Sequence, residues 1–196
     1  MAAAKKPVDR RAQIVEAASK SFAMFGYKAT TMELVSKIAA VGKGTIYTFF
    51  ATKEELFSEI IGQLSKELRE VAERTIDHDR PFFDNLSEAL HELLLFREKH
   101  ELIVKLSQEV RDIGTPMAKD GIARLEQGIL AFIQQEVSYG IDKGELRGAN
   151  PQLTAFVMLR LYLALSLEWS KQHKPLSRKE AAGYFGELLR DGLAVR

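Results

Sequence analysis

Apolar residues recur every three to four positions along nearly the whole chain, and no stretch alternates convincingly at a period of two. That pattern restricts the fold to packed helices, and side-chain punctuation marks where they begin and end. Ile14, Ala18, Phe22 and Phe25 form a first stripe that closes at Gly26, a favourable residue just past a helix. Thr30 with Glu33 has capping-box spacing and predicts a short helix through Leu34, Val35 and Ile38. A break at 40–42 separates it from a compact run over 43–50. Thr52 with Glu55 is a second capping box, opening a long helix with the stripe Leu56, Ile60, Leu64, Leu68 and Val71. A polar break and Pro81 end it. Two helices come next, one over about 82–99 and one through Leu102, Leu106 and Val110. Thr115-Pro116 and Asn150-Pro151 each place a capping side chain before a first-turn proline, predicting helices that reach about Tyr139 and His173. Ser177 with Glu180 opens the last helix, and 141–149 is the longest loop. The expectation is an all-α chain of nine helices.

Composition excludes several classes. With 196 residues, 46% hydrophobic and 28% charged, the chain has an ordinary globular balance. It contains no cysteine, which excludes disulfides, thiolate metal sites and cysteine nucleophiles and fits a cytoplasmic setting. The net charge of +1 hides an asymmetry: residues 1–53 carry nine Lys/Arg against three Asp/Glu, whereas 54–196 carry 19 against 24. A basic head on an acidic body predicts a localised contact with a polyanion. The start, Met-Ala-Ala-Ala-Lys-Lys-Pro, lacks the apolar core of a signal peptide. The most apolar stretch, 153–169, is short for a membrane span and has Arg160 at its centre, so it reads as a buried helix.

The basic head has the parts of a helix-turn-helix: a supporting helix, two short helices and a tight break between them. A helix that enters a major groove about 12 Å wide needs a small, polar leading face, which Lys43, Gly44, Thr45 and Thr48 provide. Tyr47 and Lys53 are placed to reach phosphates, and Thr31 brings a hydroxyl and a helix N-terminus to another. Ile46 and Phe50 are expected to turn inward onto Ile38 and Phe22.

The same residues carry a resemblance. The segment 11–61, with Ile14-Val15-Glu16-Ala17-Ala18, Phe22-Ala23-Met24-Phe25-Gly26-Tyr27, Thr30-Thr31, Ile38-Ala39, Lys43-Gly44-Thr45-Ile46-Tyr47, Phe50, Lys53-Glu54 and Leu56, resembles the N-terminal domain of TetR-family transcriptional regulators. The resemblance implies a homodimer that reads a palindromic DNA operator and is released by a small-molecule effector. It implies a DNA-binding domain over 1–53 and an effector-binding and dimerisation domain of six helices over 54–196. Thr31, Lys43, Gly44, Thr45, Tyr47, Thr48 and Lys53 match the usual DNA-contacting positions. Three residues depart from the pattern. Ala40 stands for the usual turn glycine, Gly42 for a Ser or Thr cap, and Phe49 for a frequent histidine. Glycine is a tolerable cap, and Phe49 has two readings, a thymine-methyl contact or local packing.

Other motifs fail. Gly42-Lys43-Gly44-Thr45 lacks the leading glycine, the Ser/Thr after Lys and the preceding strand of a phosphate loop. Glu88 with His91 is one half of a two-part carboxylate–histidine metal motif, and no second copy exists. No cofactor, metal or catalytic set is expected. In the body, 153–169 is apolar almost all round, more than one helix needs to seat on its own core, so it and the last helix predict the dimer surface. Phe156, Arg160, Leu167, Tyr184 and Leu188 are its candidates. Arg160 has three readings, in this order: a carboxylate across the dimer, snorkelling to solvent, or an anionic ligand. His91, Phe96, Gln108, Phe132, Gln135 and Tyr139 are candidate lining for a pocket suited to a lipophilic or aromatic effector.

Overall fold

A computed structural model describes residues 9–148 and 150–193. Lys5, Lys6, the leader reading of residues 1–7 and Ala149 lie outside the described residues. Nine α-helices and no β-sheet are present among those described: α1 (Arg10–Ala29), α2 (Met32–Ile38), α3 (Lys43–Phe49), α4 (Lys53–Thr75), α5 (Phe82–Lys99), α6 (Glu101–Asp112), α7 (Pro116–Asp142), α8 (Pro151–Leu163) and α9 (Arg178–Leu193).

Local chemistry sets the boundaries. Asp9 caps α1 by accepting from the Ala12 N–H, and Asn150 caps α8 by accepting from the Leu153 N–H. Ser177 and Glu180 exchange both bonds of a capping box, at 3.2 and 2.8 Å. Thr52 accepts from the Glu55 N–H, while the Glu55 carboxylate reaches back to the Ala51 N–H. One cap differs from expectation. Thr31, not Thr30, caps α2, because the Thr30 hydroxyl is buried against Ser21 and donates to the Gly26 carbonyl. Gly26 itself, at φ 80° and ψ 172°, breaks α1 and lets one further turn run to Ala29.

The chain packs as two compact units. The first holds the described residues up to Leu64 together with His100–Arg124. Its core contains Ile14, Phe22, Val35, Ile46, Phe50, Leu56, Phe57 and Leu106. Phe22 stacks on Tyr27 and meets Phe57 edge-on, with centroids 5.8 and 5.2 Å apart. Gly121 lies where α7 passes that cluster: an added Cβ would stand 3.0 Å from the Phe57 ring. Two expected core residues face out instead. Phe25 is 44% exposed and Ile38 40% exposed, so the inward face of α3 is buried without help from Ile38.

The second unit holds Ser65–Lys99 and the described residues from Leu125 onward. Leu90, Leu94, Val137, Met158, Leu159, Tyr162, Phe185 and Leu189 form its core. After α8 the helix widens into a π-helical stretch (Ala164–Glu168) and tightens into a 3₁₀ turn (Trp169–Lys171), where the sequence pattern predicts a single helix to His173. Arg97 donates to the Ser166 carbonyl in that stretch, at 2.9 Å, which helps satisfy the altered backbone. Pro151–Lys171 is long and apolar enough to cross a membrane by length and composition alone. One face packs into the core, Arg160 at the middle pairs with Glu126, and the other face is exposed; the expectation of a buried helix holds for one side only.

Candidate nucleic-acid interface and effector chamber

α2 and α3 are each seven residues long and too short to persist alone. They are held by buried Met32, Val35, Ile46 and Phe50. This leaves Lys43, Gly44, Tyr47, Thr48 and Phe49 exposed on α3, with Thr45 half-buried. Thr48 donates to the Thr45 carbonyl at 2.7 Å, so its oxygen remains free to accept from a base edge. Thr31 accepts from the Leu34 N–H and keeps its own hydroxyl proton for an outside acceptor. An added Cβ at Gly44 would meet nothing within 4 Å. The chain's own packing therefore does not require this glycine, which costs an exposed helix up to about 1 kcal/mol relative to alanine.

The turn between α2 and α3 strains one residue. Ala40, with φ 51°, is the one non-glycine at positive φ among the described residues, and it is exposed. Left-handed backbone costs an L-residue about 1–2 kcal/mol, partly offset by the greater chain entropy glycine would lose. Ala40→Gly is expected to stabilise the protein by about 0.5–1 kcal/mol. Chemical denaturation of the two proteins checks it, and a loss of stability would show that the turn is not strained.

Lys53 is more committed than its sequence position implies. Its ammonium donates to the Tyr27 and Thr30 carbonyls at 2.9 and 3.0 Å and lies 4.1 Å from the Tyr27 ring centroid. Two of its three protons tie the end of α1 to the start of α4, leaving one for an outside acceptor. The Tyr27 hydroxyl donates to Glu54 at 2.5 Å and holds that carboxyl below its ordinary range. Burial, then the Glu54 bond, pushes the Tyr27 phenol far up, so it stays protonated as a donor. The stabilisation from Glu54 is present above its unfolded value and is lost as pH falls through its lower folded value.

The buried end of α1 rests on a carboxylate from α6. Glu109, 6% exposed, accepts from the Tyr27 N–H at 2.6 Å, the Lys28 N–H at 3.2 Å and the Thr115 hydroxyl at 2.6 Å. Nothing in the sequence marks it, because its backbone donors lie 81 and 82 positions away.

The second unit contains a cavity of about 420 Å³, within the range of small-molecule sites. Leu68, Arg69, Val71 and Ala72 of α4 line it, with Leu86, Leu90 and Leu93 of α5, Leu125, Gly128, Ile129 and Phe132 of α7, and Met158, Leu159 and Tyr162 of α8. Of six candidate lining residues only Phe132 belongs to this chamber. His91 and Gln108 are exposed, on α5 and α6, and Phe96 is buried outside the lining. Gln135 borders a more polar vestibule of about 250 Å³, shared with Arg69 and Phe132. Tyr139 lines a smaller hollow of about 70 Å³ beside His78. Of the aromatics that signal a pocket in the sequence, Phe96 packs into the core and Tyr139 lines the smaller hollow; leucine, isoleucine and alanine make up most of the chamber wall, with Phe132, Tyr162 and Phe185.

Leu153, Phe156 and Val157 on α8, with Tyr184 and Leu188 on α9, leave large apolar side chains at 47–61% exposure. Leu167 is half-buried. Arg160 finds a carboxylate within its own chain, Glu126 at 2.5 Å, and its guanidinium carbon stands 5.3 Å from the Phe156 ring centroid.

Residues 14–60 match the family model for bacterial regulatory proteins of the tetR family. An uncharacterized HTH-type transcriptional regulator of Bacillus subtilis (strain 168), YhgD, is 47% identical over 188 residues, covering 96% of this chain and 98% of that protein. The Fatty acid metabolism regulator protein of the same organism is 28% identical over 140 residues, covering 69% and 70%. Among solved structures, the SmeT–triclosan complex superposes with a TM-score of 0.77 at 16% identity, covering 96% of this chain and 93% of that one.

Proposed function

The chain belongs to the TetR family of bacterial transcriptional regulators, and on that premise we propose that it is a homodimeric, cytoplasmic repressor of a palindromic operator, released by an apolar small molecule. It is a helix-turn-helix regulator and not an enzyme. In this reading residues 1–53 read the operator and residues 54–196 bind the effector and the second subunit.

The observation that carries the reading is the exposed face of α3. Lys43, Gly44, Tyr47 and Thr48 stand clear of the core that fixes their backbone, and Gly44 is not required by that core. Thr45 and Thr48 read base edges; Lys43, Tyr47, Thr31 and the remaining proton of Lys53 meet phosphates. The exposed apolar side chains of α8 and α9 pair with their two-fold copies, and Phe156, Leu167, Tyr184 and Leu188 belong to that surface with Arg160 at its edge.

Effector and operator compete through α4. That helix supplies Leu56, Phe57 and Ile60 to the core of the first unit and Leu68, Arg69, Val71 and Ala72 to the chamber. An effector that shifts α4 changes the spacing of the two heads, and half-sites are read only about 34–36 Å apart or at multiples of that. The effector must prefer the released state, and DNA must weaken it by the same factor. The apolar lining supports a lipophilic effector, as do the triclosan and fatty acid metabolism named for two relatives.

Mutagenesis of α3 tests the assignment. Tyr47→Ala is expected to weaken all DNA sequences about equally, whereas Thr45→Ala or Thr48→Ala relaxes preference at one base step by about 1–3 kcal/mol. Binding to operator and single-mismatch duplexes at fixed salt separates the two classes. If both classes of variant behaved alike, the division between base and phosphate contacts would be wrong.

A further inference from the structure

The charge at the rim of the chamber bears on the charge of its occupant, given the proposed role of the chamber as an apolar-effector site. The lining is largely apolar; Ser65, Thr75 and Tyr162 add hydroxyls, and its charged members are Lys66 and Arg69 of α4 and Glu92 of α5. Lys66 already pairs with Glu70, at 3.7 Å. Arg69 makes no ion pair among the described residues, is exposed, and borders both the chamber and the polar vestibule beyond it. The vestibule also holds Glu73, Glu136, His78 and Gln135. Glu136 is engaged by His78 at 3.1 Å.

We propose that the chamber selects a monoanionic amphiphile, with an apolar body inside and a carboxylate-like head on the Arg69 guanidinium at the rim. Three features converge on this class. About 420 Å³ equals the volume of on the order of a dozen water-sized groups at about 30 Å³ each, so the body is a medium-length chain or a compact ring system. A guanidinium without a carboxylate partner offers a planar fork that suits an acid head. Glu92 borders the chamber and Glu73 the vestibule, so the site can answer the one negative charge that Arg69 meets but opposes a second, and a dianionic head is disfavoured.

Gly128 supplies the control. It lines the chamber, and an added Cβ there would meet nothing within 4 Å. Gly128→Leu therefore extends into open space and replaces a helical glycine by a better helix former. Decanoate, decanol and decyltrimethylammonium share one apolar body and differ in head charge. Calorimetric titration of the full chain below their micellar concentrations is expected to rank decanoate about fivefold to tenfold tighter than decanol, with the cation weakest. Arg69→Ala makes decanoate and decanol bind equally in that variant, whereas Arg69→Lys retains part of the preference. Gly128→Leu abolishes both, with a melting temperature equal to or above the parent's. Equal binding of acid and alcohol, or an acid preference that survives Arg69→Ala, overturns the head assignment alone. Failure of acid and alcohol alike, with DNA binding intact, overturns the apolar-effector reading on which it stands.

Discussion

Glu109→Ala is expected to lower the unfolding free energy by about 3–5 kcal/mol, more than any surface change in the chain. The carboxylate is buried and accepts from two backbone N–H groups and one hydroxyl. Its removal leaves the Tyr27 and Lys28 donors at the end of α1 without the acceptor that satisfies them. Glu109→Gln keeps one carbonyl oxygen and the same shape, so its loss should be about half as large. Urea denaturation of the three proteins measures the order. A Glu109→Ala protein within about 0.5 kcal/mol of the parent would show that the bonds contribute no net stability.

Gly26→Ala is the second large loss, about 3–4 kcal/mol, from two causes that a double mutant separates. The first is conformational: φ 80° with ψ 172° is a region that glycine alone occupies readily. The second is steric, because a Cβ at residue 26 would stand 2.5 Å from the Glu109 carboxylate oxygen. In a Glu109→Ala background the steric part vanishes and the backbone part remains. The two substitutions together should therefore cost less than the sum of each alone, by about 1–2 kcal/mol in the cycle. Strict additivity would show that residue 26 and the carboxylate do not meet.

The features legible in the sequence are those that short-range chemistry controls. Asn150, Thr52 and the Ser177–Glu180 pair act within four residues of themselves, and each starts a helix where expected. The cap of α2 falls one residue away because Thr30 is claimed by Ser21, nine positions earlier, a partner that no local window contains. The order of the nine helices follows from periodicity and so do most of their ends; α1 runs on past Gly26 and α8 gives way to a π-helical stretch at Ala164, neither of which periodicity marks. The chamber does not follow from it, since periodicity marks a side chain as inward-facing without saying whether another side chain fills the space before it. Leu68 and Val71 are legible as a stripe on α4 and face the hole, while Phe96 packs solidly. Arg160 is legible as anomalous; that Glu126 answers it from within the chain requires the fold of α7 against α8.

The reading head separates along the same line. The exposed residues of α3 are legible because buried Ile46 and Phe50 fix its orientation, and their spacing is local. The second role of Lys53, on the carbonyls of Tyr27 and Thr30, is not. It explains why a cation at that position contributes to the geometry of the head as well as to its charge. Any loss of DNA affinity on replacing it therefore needs a stability measurement beside it.

Recognition of a specific, two-fold symmetric DNA site is the property from which the rest of the proposed function descends. Selection of genomic fragments by the purified protein at physiological salt, followed by footprinting of the enriched fragment, tests it most directly. The expected result is a protected palindrome whose half-sites lie one helical turn apart or a multiple of it, with affinity that falls steeply as salt rises. Absence of enrichment over bulk DNA, from protein freed of bound small molecules, would contradict it.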